Sequence, residues 1–261
     1  MSKNFLIIVE GAVTEKSILL SVFEKYNFKV FECGKIDLQK NIEDLFINIY
    51  DTLDNDKIFL VQGPRNRIHD WLKLIKTNEE DFELFFKGIS GKFAGIFIVY
   101  DVDHTSKSDL EMMFQKYNDE TDRGLLLLSS PCVEVLADKG RTEPLFCNHL
   151  KEYKSELNIR FNTKGMESAQ NYIIKNFNKL ALYYIEKNTA ESGNNNVMEH
   201  PQFVLEKINE LNERDNISSD YQSVYYRYFT TVIYVCIAYI KGLTKEINNV
   251  DLIKNFFLNE Y

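Results

Sequence analysis

The sequence predicts an α/β fold: a mostly parallel sheet flanked by helices, followed by a helical C-terminal portion. Three observations predict it. Short continuous apolar runs recur at Phe5–Val9, Ile58–Val61, Phe97–Tyr100 and Leu125–Leu128, as in the buried strands of parallel sheets. Helically spaced apolar residues fall between these runs up to about residue 140, the alternation of a repeated strand–helix unit. Beyond residue 140 strand signals become scarce and helix-like patterning takes over. The expected division is therefore residues 1–140 as an α/β domain and 141–261 as a helical C-terminal region.

Taken in order, Phe5–Val9 stops at Glu10-Gly11, and Thr14 then opens a helix whose buried stripe is Ile18, Leu19, Leu20, Val22 and Phe23. A second short strand is expected over Phe28–Cys33, and Leu38–Leu53 carries Leu38, Ile42, Leu45, Phe46 and Ile49 at helical spacing. Ile58–Val61 is a strand ended by Gly63-Pro64, and His69–Phe86 reads as a helix with Trp71, Leu72, Leu74 and Ile75 inward. Gly95–Tyr100 is the next strand, Asp109–Tyr117 a helix, and Leu125–Leu128 a further strand. In the second half, Leu145–Leu157, Ser168–Lys187, Gln202–Asn212 and Tyr221–Lys241 are helix-like, and Glu191–Val197 is a loop by composition.

Apolar residues are 44% and charged residues 27% of the chain, ordinary for a globular protein and incompatible with wholesale disorder. The net charge of −8 disfavours broad nonspecific binding to nucleic acid, although Lys57, Arg65, Arg67, Lys73, Lys76, Lys87 and Lys92 gather in one region. Cys33, Cys132, Cys147 and Cys236 are scattered with no CxxC pair, which argues against a zinc ribbon and for a reducing compartment. The apolar run near the N-terminus is too short for a signal peptide, and Val224–Ile240 is too short to span a bilayer. A cytoplasmic location is expected.

Chemistry concentrates in Phe97–Thr105, FIVYDVDHT, where an apolar run ends in two carboxylates. In extended chain Asp101 and Asp103 leave the same face, and a hard cation such as Mg²⁺ relieves the repulsion between them. Alone, this pattern also fits a solvated loop. Glu10, Asp101 and Ser129-Ser130 each follow an apolar run directly, so three strands deliver polar groups where ligands gather in such sheets. Ser130-Pro131 reads as a helix opening, with Ser130 as cap and Glu134 one turn in. His104 titrates in the range useful to an acid or base, or else supports a neighbour.

Together IIVEGAVTEK (Ile7–Lys16), VYDVDHT (Val99–Thr105) and LLSSPCVEVL (Leu127–Leu136) resemble the successive motifs of a TOPRIM domain. The nearest variety is the RloB-like and OLD-type nucleases of bacterial defence systems. The last element, Ser129–Glu134, departs from the Ser-Asn-Pro-Cys-Phe-Glu signature of RloB-like members at Ser130 and Val133. HPQFVLEKINEL (His200–Leu211) is loosely similar to a terminal Asn-Pro helix of that family. The resemblance implies a nuclease that hydrolyses phosphodiester bonds of DNA or RNA with Mg²⁺ or Mn²⁺. Glu10, Asp101, Asp103 and Glu134 would be its catalytic residues, and Glu10, Glu15, Asp101 and Asp103 its metal ligands. Lys16 and Ser130 would meet substrate phosphate, with His104 as an acid or base. It further implies a toxic effector in antiphage defence, working with a separately encoded ATPase or a phage trigger.

Two other readings remain open from the residues. Asp101-Val-Asp-His-Thr105 also fits the Asp-x-Asp-x-Thr motif of haloacid-dehalogenase-type phosphatases, with Asp101 as nucleophile. That motif ordinarily opens its fold, whereas here a long stretch with its own Glu-Gly turn precedes it. The third reading is a regulatory TOPRIM module that binds without catalysing.

Overall fold

A computed structural model describes residues 3–10, 14–35, 57–62, 91–102, 105–130, 132–138, 145–147, 153–157, 159, 168–215, 224–226, 229–230, 232–246 and 248–259. Among them the strands are β1 (Asn4–Val9), β2 (Lys29–Lys35), β3 (Lys57–Gln62), β4 (Gly95–Asp101), β5 (Asn118–Asp119), β6 (Gly124–Ser130), β7 (Leu145–Cys147), β8 (Val224–Tyr226) and β9 (Phe229–Thr230). The helices are α1 (Thr14–Lys25), α2 (Lys107–Lys116), α3 (Ala169–Ser192), α4 (His200–Asp215), α5 (Val232–Ile240) and α6 (Asn249–Asn259). Short 3₁₀ turns cover Val133–Ala137, Val197–Glu199 and Leu243–Lys245, and residues 153–157 are helical.

The main sheet runs β2-β3-β1-β4-β6-β5, and β9 also pairs with β6. β1 is parallel to both β3 and β4, and β2 is parallel to β3, whereas β5 and β9 run antiparallel to β6. This is the mixed α/β fold, with a mostly parallel sheet, that the apolar runs predict. Every residue of β4 and β6 is buried, which is why these strands read as unbroken apolar runs rather than as an alternation. No helix among the described residues is long and apolar enough to cross a membrane.

The chain divides into two compact units, Met1–Tyr100 with Glu111–Leu126, and Asp101–Leu110 with Leu127–Tyr261. The division thus falls within β4 and β6 and within α2. In the first unit the apolar stripe of α1 (Ile18, Leu19, Val22, Phe23) is fully buried, as are Phe5–Val9 and Ile58–Val61. Gly124 opens β6 at a φ of 108°, and a Cβ there would meet Ile96 Cγ2 at 3.0 Å. Glycine is required by both the backbone and the space. In the second unit the core gathers Phe177, Leu180, Ala181, Tyr184, Val204, Ile233–Ala238, Ile253 and Phe257.

Four expectations are corrected. Tyr221–Lys241 is not one helix: β8 and β9 precede α5. Tyr225, Tyr226, Phe229 and Thr230 are β-formers, and pairing of β8 with β7 and of β9 with β6 overrides the helical spacing. Leu145–Leu157 begins with strand β7 for the same reason, and only residues 153–157 of it are helical among those described. α6, beyond the last helix expected, was not anticipated, nor was the β5–β6 hairpin. Ser130 caps no helix. It closes β6 opposite Phe229, and the 3₁₀ turn that follows has Cys132 at its N-cap without a side-chain hydrogen bond. The helices expected over Leu38–Leu53 and His69–Phe86 lie outside the described residues, as does most of the basic region Lys57–Lys92.

Candidate metal centre

β4 delivers Asp101 as its last residue, and the Val102 N–H donates to Ser129 O at 2.9 Å, tying the chain after β4 to the end of β6. After β6, Cys132 and the 3₁₀ turn bring Glu134 back to the same place. One ligand atom each from Asp101, Cys132 and Glu134 lies within 4.8 Å of the others. Asp101 is 6% and Cys132 0% exposed, and the Glu134 side chain 13%. Two carboxylates that close and that shielded from water raise each other's energy unless a cation attends them. The cation in place is Lys154, whose Nζ stands 3.5 Å from Glu134 Oε2. That oxygen is fully buried and accepts no hydrogen bond from the described residues.

Burial pushes the Cys132 thiol well above its ordinary range, and the negative charges of Glu134 and Asp101 push it further, against a smaller opposing pull from Lys154. The thiol therefore keeps its proton and hydrogen-bonds through it to the Glu134 carboxylate. The 3₁₀ turn is held from behind by two tyrosines: Tyr184 of α3 donates to Val135 O at 2.6 Å, and Tyr153 donates to the buried Asp138 at 3.3 Å. The donor set offers hard carboxylate oxygen from Asp101 and Glu134, which fits Mg²⁺ or Mn²⁺. Cys132 Sγ is the third potential ligand atom of the cluster.

The other candidates fall as follows. Glu10 comes straight after β1, and its N–H donates to Val99 O at 3.3 Å. Glu15 sits buried in the first turn of α1, 3% exposed, and Lys16 is ion-paired with Glu32 of β2. Glu10, Glu15 and Lys16 belong to the first compact unit, and Asp101, Ser130 and Glu134 to the second. Asp103 and His104 lie outside the described residues. Sequence reasoning singled out Asp101 and Glu134 but missed Cys132 as their neighbour and Lys154 as their counter-charge. The Ser-Pro-Cys-Val-Glu string held the signal for Cys132; nothing local marks Lys154, whose placement is a tertiary event.

The remaining polar core of the second unit is a directed chain. Asn194 O can only accept, so His200 Nε2 donates to it at 3.4 Å, and Nδ1 accepts from the Tyr234 hydroxyl at 3.1 Å. Tyr234 in turn accepts from Asn188 Nδ2 at 2.7 Å, and the same amide donates to Thr230 O at 3.2 Å. The Thr230 hydroxyl meets Ser129 Oγ at 3.1 Å. His200 is a core histidine rather than an acid or base for chemistry. Comparison with family models, curated proteins and solved structures finds no match for this chain.

Proposed function

We propose that this chain is a TOPRIM-like nuclease, a phosphodiester hydrolase that depends on Mg²⁺ or Mn²⁺, with Asp101 and Glu134 as cation-holding carboxylates. The observation that carries the reading is the convergence of Asp101, Cys132 and Glu134 within 4.8 Å after the adjacent strands β4 and β6. A divalent ion bound there supplies a Lewis acid for a phosphate oxygen and a water of lowered pKa. Asp101 and Glu134 hold charge in a site where burial strengthens every electrostatic interaction. Cys132 packs its buried thiol beside the Glu134 carboxylate, and Tyr184 and Tyr153 fix the turn that carries both. The resemblance adds Glu10 as a base or further ligand and Asp103 as the second half of the acidic pair. It also adds a defence role with a separately encoded ATPase, and a nucleic-acid substrate that is DNA or RNA.

The test is cleavage by the purified chain of single- and double-stranded DNA and of RNA with Mg²⁺ or Mn²⁺, alone and with a co-expressed neighbouring ATPase. Asp101→Asn is expected to lower cutting at least about a hundredfold, since it removes several kcal/mol of charge stabilisation. Cutting that survives Asp101→Asn overturns the reading. Rapid turnover of a generic phosphomonoester with no cut in any nucleic acid moves the assignment to the phosphatase.

A further inference from the structure

The ammonium of Lys154 stands 3.5 Å from Glu134 Oε2, on one of the two carboxylates that would hold a divalent cation. We propose that Lys154 is a built-in counter-cation which the incoming metal displaces from Glu134, leaving the freed ammonium beside the metal as a contact for an anionic phosphate oxygen. The inference rests on the metal reading of this site, and adds to it a residue and a binding sequence.

Three observations carry it. The Lys154 Nζ to Glu134 Oε2 distance of 3.5 Å places the lysine at an oxygen that is buried from water and accepts no hydrogen bond from the described residues. The Lys154 side chain is 37% exposed while that of Glu134 is 13% exposed. The lysine therefore has an outward path that the carboxylate lacks. Its base is fixed, because its neighbour Tyr153 is 0% exposed and bonded to Asp138, so only the flexible stem has to move. A long methylene stem anchored at a rigid backbone with its charge near water is the arrangement in which lysine swings at little cost. A monovalent ammonium at 3.5 Å from a carboxylate oxygen is outcompeted by a divalent ion that takes two carboxylates, and like charge then turns the ammonium off Glu134 toward the solvent side of the metal, where an anionic phosphate oxygen would sit.

Displacement costs the metal the strength of the ion pair it breaks. For a pair with one partner partly exposed that is small, so Lys154→Met is expected to tighten Mn²⁺ binding about two- to fivefold by titration calorimetry. Lys207→Met, which removes a lysine paired with Glu210 on α4, is the control for general charge loss and is expected to leave Mn²⁺ affinity unchanged. The decisive readout is acylation of Lys154 by an amine-reactive ester in the full chain, followed by peptide mass spectrometry. Its rate is expected to rise when Mn²⁺ is added, and to show no Mn²⁺ response in Glu134→Gln. Mn²⁺ binding with an unchanged or slowed Lys154 rate overturns the displacement while leaving the metal site standing. Absence of Mn²⁺ binding to the unaltered chain overturns both. Circular dichroism of each variant separates these outcomes from loss of fold.

Discussion

At the scale of single residues, the buried His200 couples stability to pH. Burial lowers His200 from 6.5 to about 4. The unfolded chain then binds a proton that the folded chain refuses, so the contribution is fully present above pH 6.5 and is lost as pH falls toward 4. From that difference the loss is roughly 3 kcal/mol across the window. His200→Phe is expected to flatten the slope of urea-derived stability between pH 6.5 and 4; an unchanged slope would place the pH dependence elsewhere. The same scale shows why part of the site was readable in advance. Asp101 and Glu134 follow apolar strands in a recognisable string, so their position was legible. Cys132 reads as a small buried hydrophobe until its neighbours are known, and Lys154 as one more surface charge.

Among elements, the C-terminal helix α6 depends on the asparagine-rich loop between α3 and α4. Gly193 ends α3 in the left-handed region, at a φ of 66°. Asn249, at the start of α6 and 0% exposed, accepts from Val197 N at 2.9 Å and donates to Asn196 Oδ1 at 3.0 Å. The Val250 N–H donates to Asn195 O at 3.2 Å. Asn249→Ala leaves the buried Val197 N–H without its acceptor, a loss of about 1–3 kcal/mol expected in equilibrium urea unfolding. A change under a few tenths would mean that the helix docks through Ile253 and Phe257 alone. The loop itself was legible from its Gly-Asn-Asn-Asn composition, but its partner helix was not. Asn248–Asp251 carries too few apolar residues to announce a helix start. The strands β7, β8 and β9 escaped for the opposite reason: they are two or three residues long, and periodicity needs more than that to distinguish strand from helix.

For the molecule as a whole, the chain passes between its two compact units after Tyr100, after Leu110 and after Leu126. The candidate site lies wholly within the second unit: Asp101 begins it as the last residue of β4, and Cys132 and Glu134 follow its portion of β6. A fragment of residues 1–140 would keep Asp101 and Glu134 but lose α3, with its Tyr184 bond to Val135, and β9, which pairs with Ser129 and Ser130. Such a fragment is expected to lack a cooperative thermal transition, and any Mn²⁺-dependent stabilisation, when followed by circular dichroism. A sharp transition in it would mean that the first half folds by itself. Unbroken apolar runs separated by helically spaced segments gave away the sheet and its mostly parallel sense. They do not record which strand of the first half waits for a partner from the second, since β9 and β6 meet across some hundred residues of sequence.

One consequence follows from the directed chain through Asn188, Tyr234 and His200. Each of these side chains is polar only because the next one is, and the carbonyl of Asn194 sets the sense for all three. The three are therefore coupled in free energy: replacing one strands its neighbours in a dry interior, whereas an apolar trio introduced together would leave few polar groups unmatched.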